Sequence, residues 1–159
     1  MEIGVWKGST LISSLYENTN FGYAIDDWRG DLNEEDVRNS FLMNTNNFGL
    51  TNLKLIEKDC FDVDLSEIDN KINIFFYDGD HSAEATEKSL TYFYPVFADE
   101  FLYIVDDYDW TNPIFGVSDG IKESHLEVIY EKHLWSNCMN DADSWWNGLG
   151  IFIFKKNNT

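Results

Sequence analysis

The sequence predicts an α/β fold with a doubly wound, mostly parallel sheet, and three observations support this prediction. Short apolar runs alternate along the chain with longer mixed segments. Two of these runs, Ile72–Tyr77 and Phe101–Val105, are almost continuously apolar, which is typical of strands that are covered on both faces. Between them, apolar residues recur at helical spacing, so the segment reads as a strand, a helix and a strand joined by a right-handed crossover.

The same criteria predict the remaining elements. The predicted strands are Ile3–Val5, Phe21–Ile25, Leu53–Glu57, Ile72–Tyr77, Phe101–Val105, Leu126–Tyr130 and Gly150–Phe154. The predicted helices are Thr10–Glu17, Glu34–Asn44, Ala83–Tyr94 and Val117–Ser124.

Composition limits the classes of function. A chain of 159 residues with 43% hydrophobic residues can bury a core, and its length suggests one domain over residues 1–159. The net charge of −18 argues against nucleic acid or an anionic membrane as a partner, because neutralising phosphates requires Lys and Arg. Cys60 and Cys138 form no disulfide or zinc pattern, and neither a membrane span nor a leader is evident. We therefore expect a soluble, cytoplasmic protein with a small or cationic ligand.

The first ten residues, M-E-I-G-V-W-K-G-S-T, have the pattern of a buried strand that passes through a tight turn into a helix. Gly4 and Gly8 would let the backbone approach a ligand closely, and Ser9 or Thr10 could cap the helix. An ordinary tight turn explains the two glycines equally well, so the choice between the two interpretations depends on residues further along the chain.

Asp26 lies about 20 residues after this turn, at the end of the next predicted strand. A carboxylate at that place binds both ribose hydroxyls of an adenosine in dinucleotide-binding folds. The alternative is that Asp26 and Asp27 simply end a strand in an acidic protein. Together with the glycine turn, the position favours a site for an adenine nucleoside or dinucleotide.

Acidic residues also follow the two most apolar strands. Asp78 follows one of them and Asp106 and Asp107 follow the other, so the three carboxylates should converge at one edge of the sheet. An oxygen-liganded cation such as Mg²⁺ would relieve their repulsion, and His81 could act beside it as a general base. Alternatively, the acids point into solvent and His81 caps the helix that opens at Ser82.

These motifs, in this order, resemble those of class I S-adenosylmethionine-dependent methyltransferases. The nearer similarity is to the small-molecule O-methyltransferase branch that includes macrolide-sugar enzymes, and it covers nearly the whole chain. It implies a Rossmann-like, mostly parallel seven-stranded sheet with an antiparallel last strand. The segments that carry it are Glu2–Thr10, Ala24–Asp31, Asp78–Ser82 and Asp106–Tyr108.

The resemblance also implies roles for individual residues. It implies that S-adenosylmethionine is bound and that a methyl group passes to the hydroxyl of a small molecule (EC 2.1.1), with His81 and Asp78 as catalytic residues. The implied ligands of Mg²⁺ or another divalent cation are Asp78, Asp106 and Asp107. The implied cofactor-binding residues are Glu2, Gly4, Gly8, Ser9, Asp26, Trp28, Asp59, Cys60 and Asp78.

The chain departs from this family in its first residues. Family members usually carry a lid segment before the first strand, whereas here the strand begins at residue 2, so we expect that lid to be lacking. A second copy could supply it, which makes a homo-oligomer an expectation. Trp6, Trp110, Trp145 and Trp146 could line an acceptor pocket, although core positions are expected for most of them.

Two other functions fit parts of the sequence. Asp78-Gly79-Asp80 is also a D-x-D metal motif, as a nucleotide-sugar glycosyltransferase would use, but that function leaves the glycine turn and Asp26 unexplained. The other is a non-catalytic remnant that binds the cofactor without turnover.

Overall fold

The computed structural model describes residues 1–30, 33–136 and 146–157, so Asp31, Cys138 and Trp145 lie outside the described residues. The chain divides into two compact units, Met1–Asp64 and Leu65–Thr159. The seven strands have the order β3-β2-β1-β4-β5-β7-β6, numbered along the chain with the bounds given below. Within the described residues, no helix is long and apolar enough to cross a membrane.

The first unit contains three parallel strands in the order β3-β2-β1. Its elements are β1 (Glu2–Ile3), α1 (Ser9–Leu15), β2 (Gly22–Ile25), α2 (Glu34–Asn47) and β3 (Leu53–Ile56). Leu11 and Leu15 are spaced one helical turn apart on α1, so both side chains enter the core, where they join Trp28 and Phe41. This packing places the turn after β1 against the core of the unit.

The second unit combines parallel and antiparallel pairing. Its elements are β4 (Ile72–Tyr77), α3 (Ala83–Tyr92), β5 (Phe97–Val105), α4 (Thr111–Glu123), β6 (Leu126–Leu134) and β7 (Leu149–Lys156). β4 and β5 are parallel, whereas β7 is antiparallel to both β5 and β6. β6 therefore runs in the direction of β5, and the carboxyl ends of the two strands lie at the same edge.

Aromatic side chains fill the core of the second unit. The ring of Phe75 lies 5.2 to 5.6 Å from the rings of Phe93, Phe97 and Tyr103, within the range of favourable aromatic pairs. All four side chains are fully buried. A rigid core of this kind fixes the ends of β4 and β5, where the acidic residues begin.

The predicted fold class is confirmed, and the predicted bounds of β4 are those observed. Two elements begin several residues earlier than predicted. β5 starts at Phe97 rather than Phe101, because Phe97 pairs with Ile72 across a register shift. α4 starts at Thr111 rather than Val117, because a proline is tolerated in the first turn of a helix, where Pro113 lies.

Candidate functional site

The glycine turn after β1 forms as the sequence predicts. Gly4 and Gly8 have φ angles of 76° and 86°, in the left-handed region that favours glycine. A Cβ on Gly8 would also lie 2.9 Å from Cδ2 of Phe41, so the core itself requires a glycine there. The helix N-cap is Gly8, with no side-chain capping bond; the predicted cap by Ser9 or Thr10 is therefore wrong, since both residues lie within the helix.

Asp26 directly follows β2, and its carboxylate holds the glycine turn. Oδ2 accepts hydrogen bonds from the backbone N–H groups of Val5, at 2.8 Å, and of Trp6, at 3.0 Å. Oδ1 accepts one from the N–H of Trp28, at 2.8 Å. The side chain thus joins two segments that are about 20 residues apart in the chain.

These bonds limit what Asp26 can do for a ligand. A carboxylate has about four acceptor positions, and three of those of Asp26 are filled by backbone donors. One position on Oδ1 is left for a ligand, and the binding of the ribose hydroxyls by Asp26 stays a prediction. The residues of the turn therefore fit a nucleoside whose hydroxyl donates a hydrogen bond to Asp26.

Arg29 connects two further carboxylates at this end of the first unit. Its guanidinium pairs with Asp27 and donates to Oδ2 of Asp59 at 3.0 Å. The other oxygen of Asp59 accepts the N–H of Phe61, at the start of the 3₁₀ turn that begins with Cys60. Asp59 is therefore held in place by a cation and by its own turn, beside Cys60.

The two other predicted cofactor-binding residues of this unit, Glu2 and Trp28, are buried. The Trp28 ring is only 3% exposed, packs on Phe41, and donates its indole N–H to the carbonyl of Trp6 at 3.1 Å. Its observed contacts support the turn from within the core. The Trp6 side chain, by contrast, is 53% exposed beside the turn.

In the second unit, the structure brings Asp78, His81 and Asp107 together. Nε2 of His81 lies 3.5 Å from Asp78 Oδ1 and 3.6 Å from Asp107 Oδ2, and it is buried without a hydrogen-bond partner among the described residues. The His81 ring stands edge-on to Trp110, with 5.6 Å between the ring centroids. Asp107 itself has a φ angle of 52°, a strained conformation for a residue other than glycine.

The pKa values in this cluster reflect its crowded charges. Burial alone would lower the pKa of His81, but the carboxylates of Asp78, Asp107 and Asp106 outweigh it, and the pKa is raised. Burial, with the nearby charge of Asp78, raises the pKa of Asp106 to about 7. Protons are therefore retained in this cluster up to neutral pH.

The structure gives no support to the predicted divalent cation at Asp78, Asp106 and Asp107. Among residues 1–30, 33–136 and 146–157, no group of three or more His, Cys, Asp or Glu side chains is arranged to hold a metal ion. The physical reason is the position of His81, which faces Asp78 and Asp107.

The D-x-D motif is used locally. Oδ1 of Asp80 accepts the N–H of Ser82 at 2.7 Å, and Ser82 is the N-cap of α3 through a bond from the N–H of Ala85. Asp80 thus stabilises the turn that precedes α3, as Asp and Asn side chains often do in turns. His81 is therefore not the helix cap.

Most of the tryptophans considered for the acceptor pocket are exposed. Trp6, Trp110 and Trp146 have exposed fractions of about one half, so the expectation that most lie in the core is wrong for these three. The reason is that each follows the end of a strand or lies in a turn rather than within the sheet. Trp145 lies outside the described residues.

Sequence reasoning also missed three contacts of the loop after β5. The side-chain amide of Asn147 donates to Asp107 Oδ1 at 2.9 Å. Asp109 is paired with His133 at 2.7 Å and with Ser136. These partners lie 24 to 40 residues away in the chain, and no local signal predicts them.

Comparison with known families identifies the chain. A family described as methyltransferase domain matches residues 1–108, which include the glycine turn, Asp26 and the cluster around His81. The chain belongs to this family. The class I methyltransferase fold that the sequence predicts is thereby supported, whereas the small-molecule O-methyltransferase branch is not distinguished.

Solved structures share the fold of this methyltransferase domain at low sequence identity. A candidate O-methyltransferase from Klebsiella pneumoniae is 16% identical with a TM-score of 0.66, and the match covers 98% of this chain and 72% of that one. A candidate RNA methyltransferase from Pyrococcus horikoshii is 15% identical with a TM-score of 0.64, over 99% and 73% of the two chains. A candidate methyltransferase in complex with S-adenosylhomocysteine is 13% identical with a TM-score of 0.65, over 97% and 44%. Among curated proteins, none matches this chain significantly.

Proposed function

We propose that this methyltransferase domain transfers a methyl group from S-adenosylmethionine to a hydroxyl group of a small molecule. The observation that carries the proposal is the glycine turn held by Asp26, because it fixes a backbone loop and leaves one carboxylate position for a nucleoside hydroxyl. Membership of the methyltransferase family supports the cofactor. The exposed ring of Trp6 adds an aromatic surface beside the turn.

The cluster of His81 supports a hydroxyl as the acceptor. S-adenosylmethionine supplies an electrophilic methyl group on a sulfonium. As the acceptor oxygen bonds to that carbon, the carbon–sulfur bond breaks with its electron pair left on sulfur, and the hydroxyl proton has to leave. His81 takes that proton at Nδ1, since Nε2 is enclosed by Asp78 and Asp107, which stabilise the resulting imidazolium. The proposal includes no metal ion, because both carboxylates already face His81.

The charge of the chain favours a small acceptor over a polynucleotide. It has 29 Asp and Glu residues against 11 Lys and Arg, which would repel RNA and attract the cationic cofactor. This argument separates the proposal from the activity named for the Pyrococcus protein.

The first test is binding of S-adenosylhomocysteine to the full chain by calorimetry, where we expect micromolar affinity. The second is transfer of a ¹³C-labelled methyl group to three acceptor pools: phenols, glycosides and total RNA. We expect an O-methyl NMR signal from a small-molecule pool and none from RNA. Failure of S-adenosylhomocysteine to bind, or labelling of RNA alone, would contradict the proposal.

A pair of matched variants tests the role of His81. His81→Asn should lower the methylation rate about a hundredfold, the usual size of a general-base effect, with little change in S-adenosylhomocysteine affinity. His125→Asn is the control, since His125 is exposed. If binding occurs without turnover, and His81→Asn changes nothing, the domain is a non-catalytic remnant.

A further inference from the structure

A second histidine of the second unit is paired with a carboxylate outside the cluster of His81. His133 lies near the end of β6, and its Nε2 is 2.7 Å from Oδ1 of Asp109, which follows β5. Both side chains are mostly buried. No local sequence pattern distinguishes His133, because its partner Asp109 is 24 positions away in the chain.

Asp109 is built into its position by further contacts. Its Oδ2 accepts the backbone N–H of Ser136 at 2.9 Å and the Ser136 hydroxyl. A Cβ on Gly148 would lie 2.3 Å from Oδ1, so a glycine leaves the room that the carboxylate occupies. The position of the carboxylate is therefore fixed. Because a carboxylate accepts hydrogen bonds, His133 pairs with it by donating one.

This pairing sets the tautomer of His133. The neutral imidazole places its proton on Nε2, facing Asp109, and leaves the lone pair on Nδ1. Within the described residues, no group donates a hydrogen bond to Nδ1. In this tautomer Nδ1 is therefore a hydrogen-bond acceptor for a ligand.

An aromatic surface adjoins this acceptor. The ring of Trp135 stacks on His133, with centroids 3.5 Å apart and 27° between the planes, and its side chain remains 64% exposed. Tyr108 packs edge-on against the imidazole from the buried side, at 4.8 Å. The imidazole orientation is therefore locked, while the indole keeps a free apolar face.

We propose that His133, held by Asp109, and the exposed indole of Trp135 bind a hydroxyl-bearing ring of the acceptor. A ring hydroxyl donates to Nδ1 of His133, and the flat apolar face of the ring stacks on Trp135. The carboxylates of Asp109 and Asp107 disfavour an anionic ring. This inference rests on the proposed function. Both a phenol and a glycoside supply a ring with a hydroxyl group, so either class fits.

Heteronuclear NMR of the full chain provides the test, because the chain has only three histidines whose Cε1–H signals can be assigned. Single variants His81→Asn, His125→Asn and His133→Asn make the assignment. The probes are catechol for the phenol arm and methyl α-glucopyranoside for the glycoside arm. We expect at least one probe, at millimolar concentration, to shift the His133 signal saturably and leave the signal of His125 in place.

Trp135→Ala should weaken binding of that probe about fivefold, which corresponds to the loss of one aromatic stacking contact. The matched control is Tyr130→Ala, which removes another exposed aromatic ring from β6 and should leave the affinity unchanged. Because Trp135 is exposed, its removal is not expected to unfold the chain. No shift of His133 with either probe, or equal affinity in Trp135→Ala, would overturn the inference.

Calorimetry with S-adenosylhomocysteine on the same samples separates this result from the proposed function. If S-adenosylhomocysteine binds while His133 does not respond, only the present inference fails. If S-adenosylhomocysteine does not bind, the proposed function fails whatever His133 does.

Discussion

At the scale of single residues, the carboxylates of this domain include some that accept hydrogen bonds from the backbone and some that remain protonated up to about neutral pH. Asp26 belongs to the first group, since backbone N–H groups fill three of its acceptor positions. Asp106 belongs to the second, with a pKa of about 7. Each assignment leads to a measurable consequence.

Asp26→Asn should destabilise the domain and weaken S-adenosylhomocysteine binding. If the Asn oxygen accepts from Val5 and Trp6, its amide faces the N–H of Trp28, so two donors oppose each other. We expect a loss of about 1–3 kcal/mol in the free energy of unfolding, the cost of an unsatisfied polar group. Asp27→Asn is the control and should cost under about 1 kcal/mol, because its partner Arg29 is exposed. Urea denaturation measures both, and equal losses would contradict the assignment.

Asp106 should make stability depend on pH. Its pKa is raised from 3.8 to about 7 in the folded state, so the folded chain binds more protons than the unfolded chain between these values. The free energy of unfolding therefore falls as pH rises through this window. Asp106→Asn removes the effect and should stabilise the domain at about pH 8, by on the order of 1 kcal/mol after allowance for partial exposure.

The gain from Asp106→Asn should vanish near the lower end of the window, where the wild-type carboxyl is protonated in both states. Asp119→Asn, which changes an exposed acid, should show no such trend. Urea denaturation across the pH range measures both variants. A gain that grows as pH falls would show that the raised pKa is wrong.

At the scale of elements, helix packing in the second unit depends on small residues. A Cβ on Gly116 of α4 would lie 2.5 Å from the carbonyl oxygen of Ala83 and 2.5 Å from Cβ of Thr86. A Cβ on Gly120, one turn later, would lie 3.0 Å from Cδ1 of Leu90. α3 and α4 can approach this closely only because these positions lack side chains.

Gly116→Ala should therefore destabilise the domain although alanine favours the helix by about 1 kcal/mol over glycine. One of the clashing atoms is backbone and cannot turn away, so we expect a net loss of about 2 kcal/mol. Asp119→Ala, on an exposed position of the same helix, should change stability by under about 0.5 kcal/mol. A thermal melt of each variant is sufficient, and a stabilised Gly116→Ala would refute the close packing.

At the scale of the whole molecule, the net charge of −18 is the dominant electrostatic feature. Like charges repel in the compact state, and salt screens them. The same salt weakens exposed ion pairs such as Arg38 with Glu57, but exposed pairs of this kind contribute little to stability. Screening of the repulsion should therefore outweigh the loss of the ion pairs.

We expect the melting temperature to rise as the ionic strength increases from about 0.01 to 0.15 M, where the screening length falls from about 30 to 8 Å. The measurement is differential scanning calorimetry in sodium chloride. Tetramethylammonium chloride at the same ionic strength is the control, and it should act alike if screening is the cause. A falling melting temperature would mean that the ion pairs dominate.

The sequence by itself determined the order of the elements, the fold class and the positions of the carboxylates that follow the strands. Periodicity and apolar runs are local signals, so β4 could be predicted to the residue, and Asp26 and Asp78 could be placed at strand ends. Only the tertiary structure decided what those carboxylates do. The backbone donors that occupy Asp26, the imidazole that stands between Asp78 and Asp107, and the pairing of His133 with Asp109 all depend on contacts that three-dimensional packing creates. A hydrogen bond is specific to distance and direction, and residue types along the chain do not encode either.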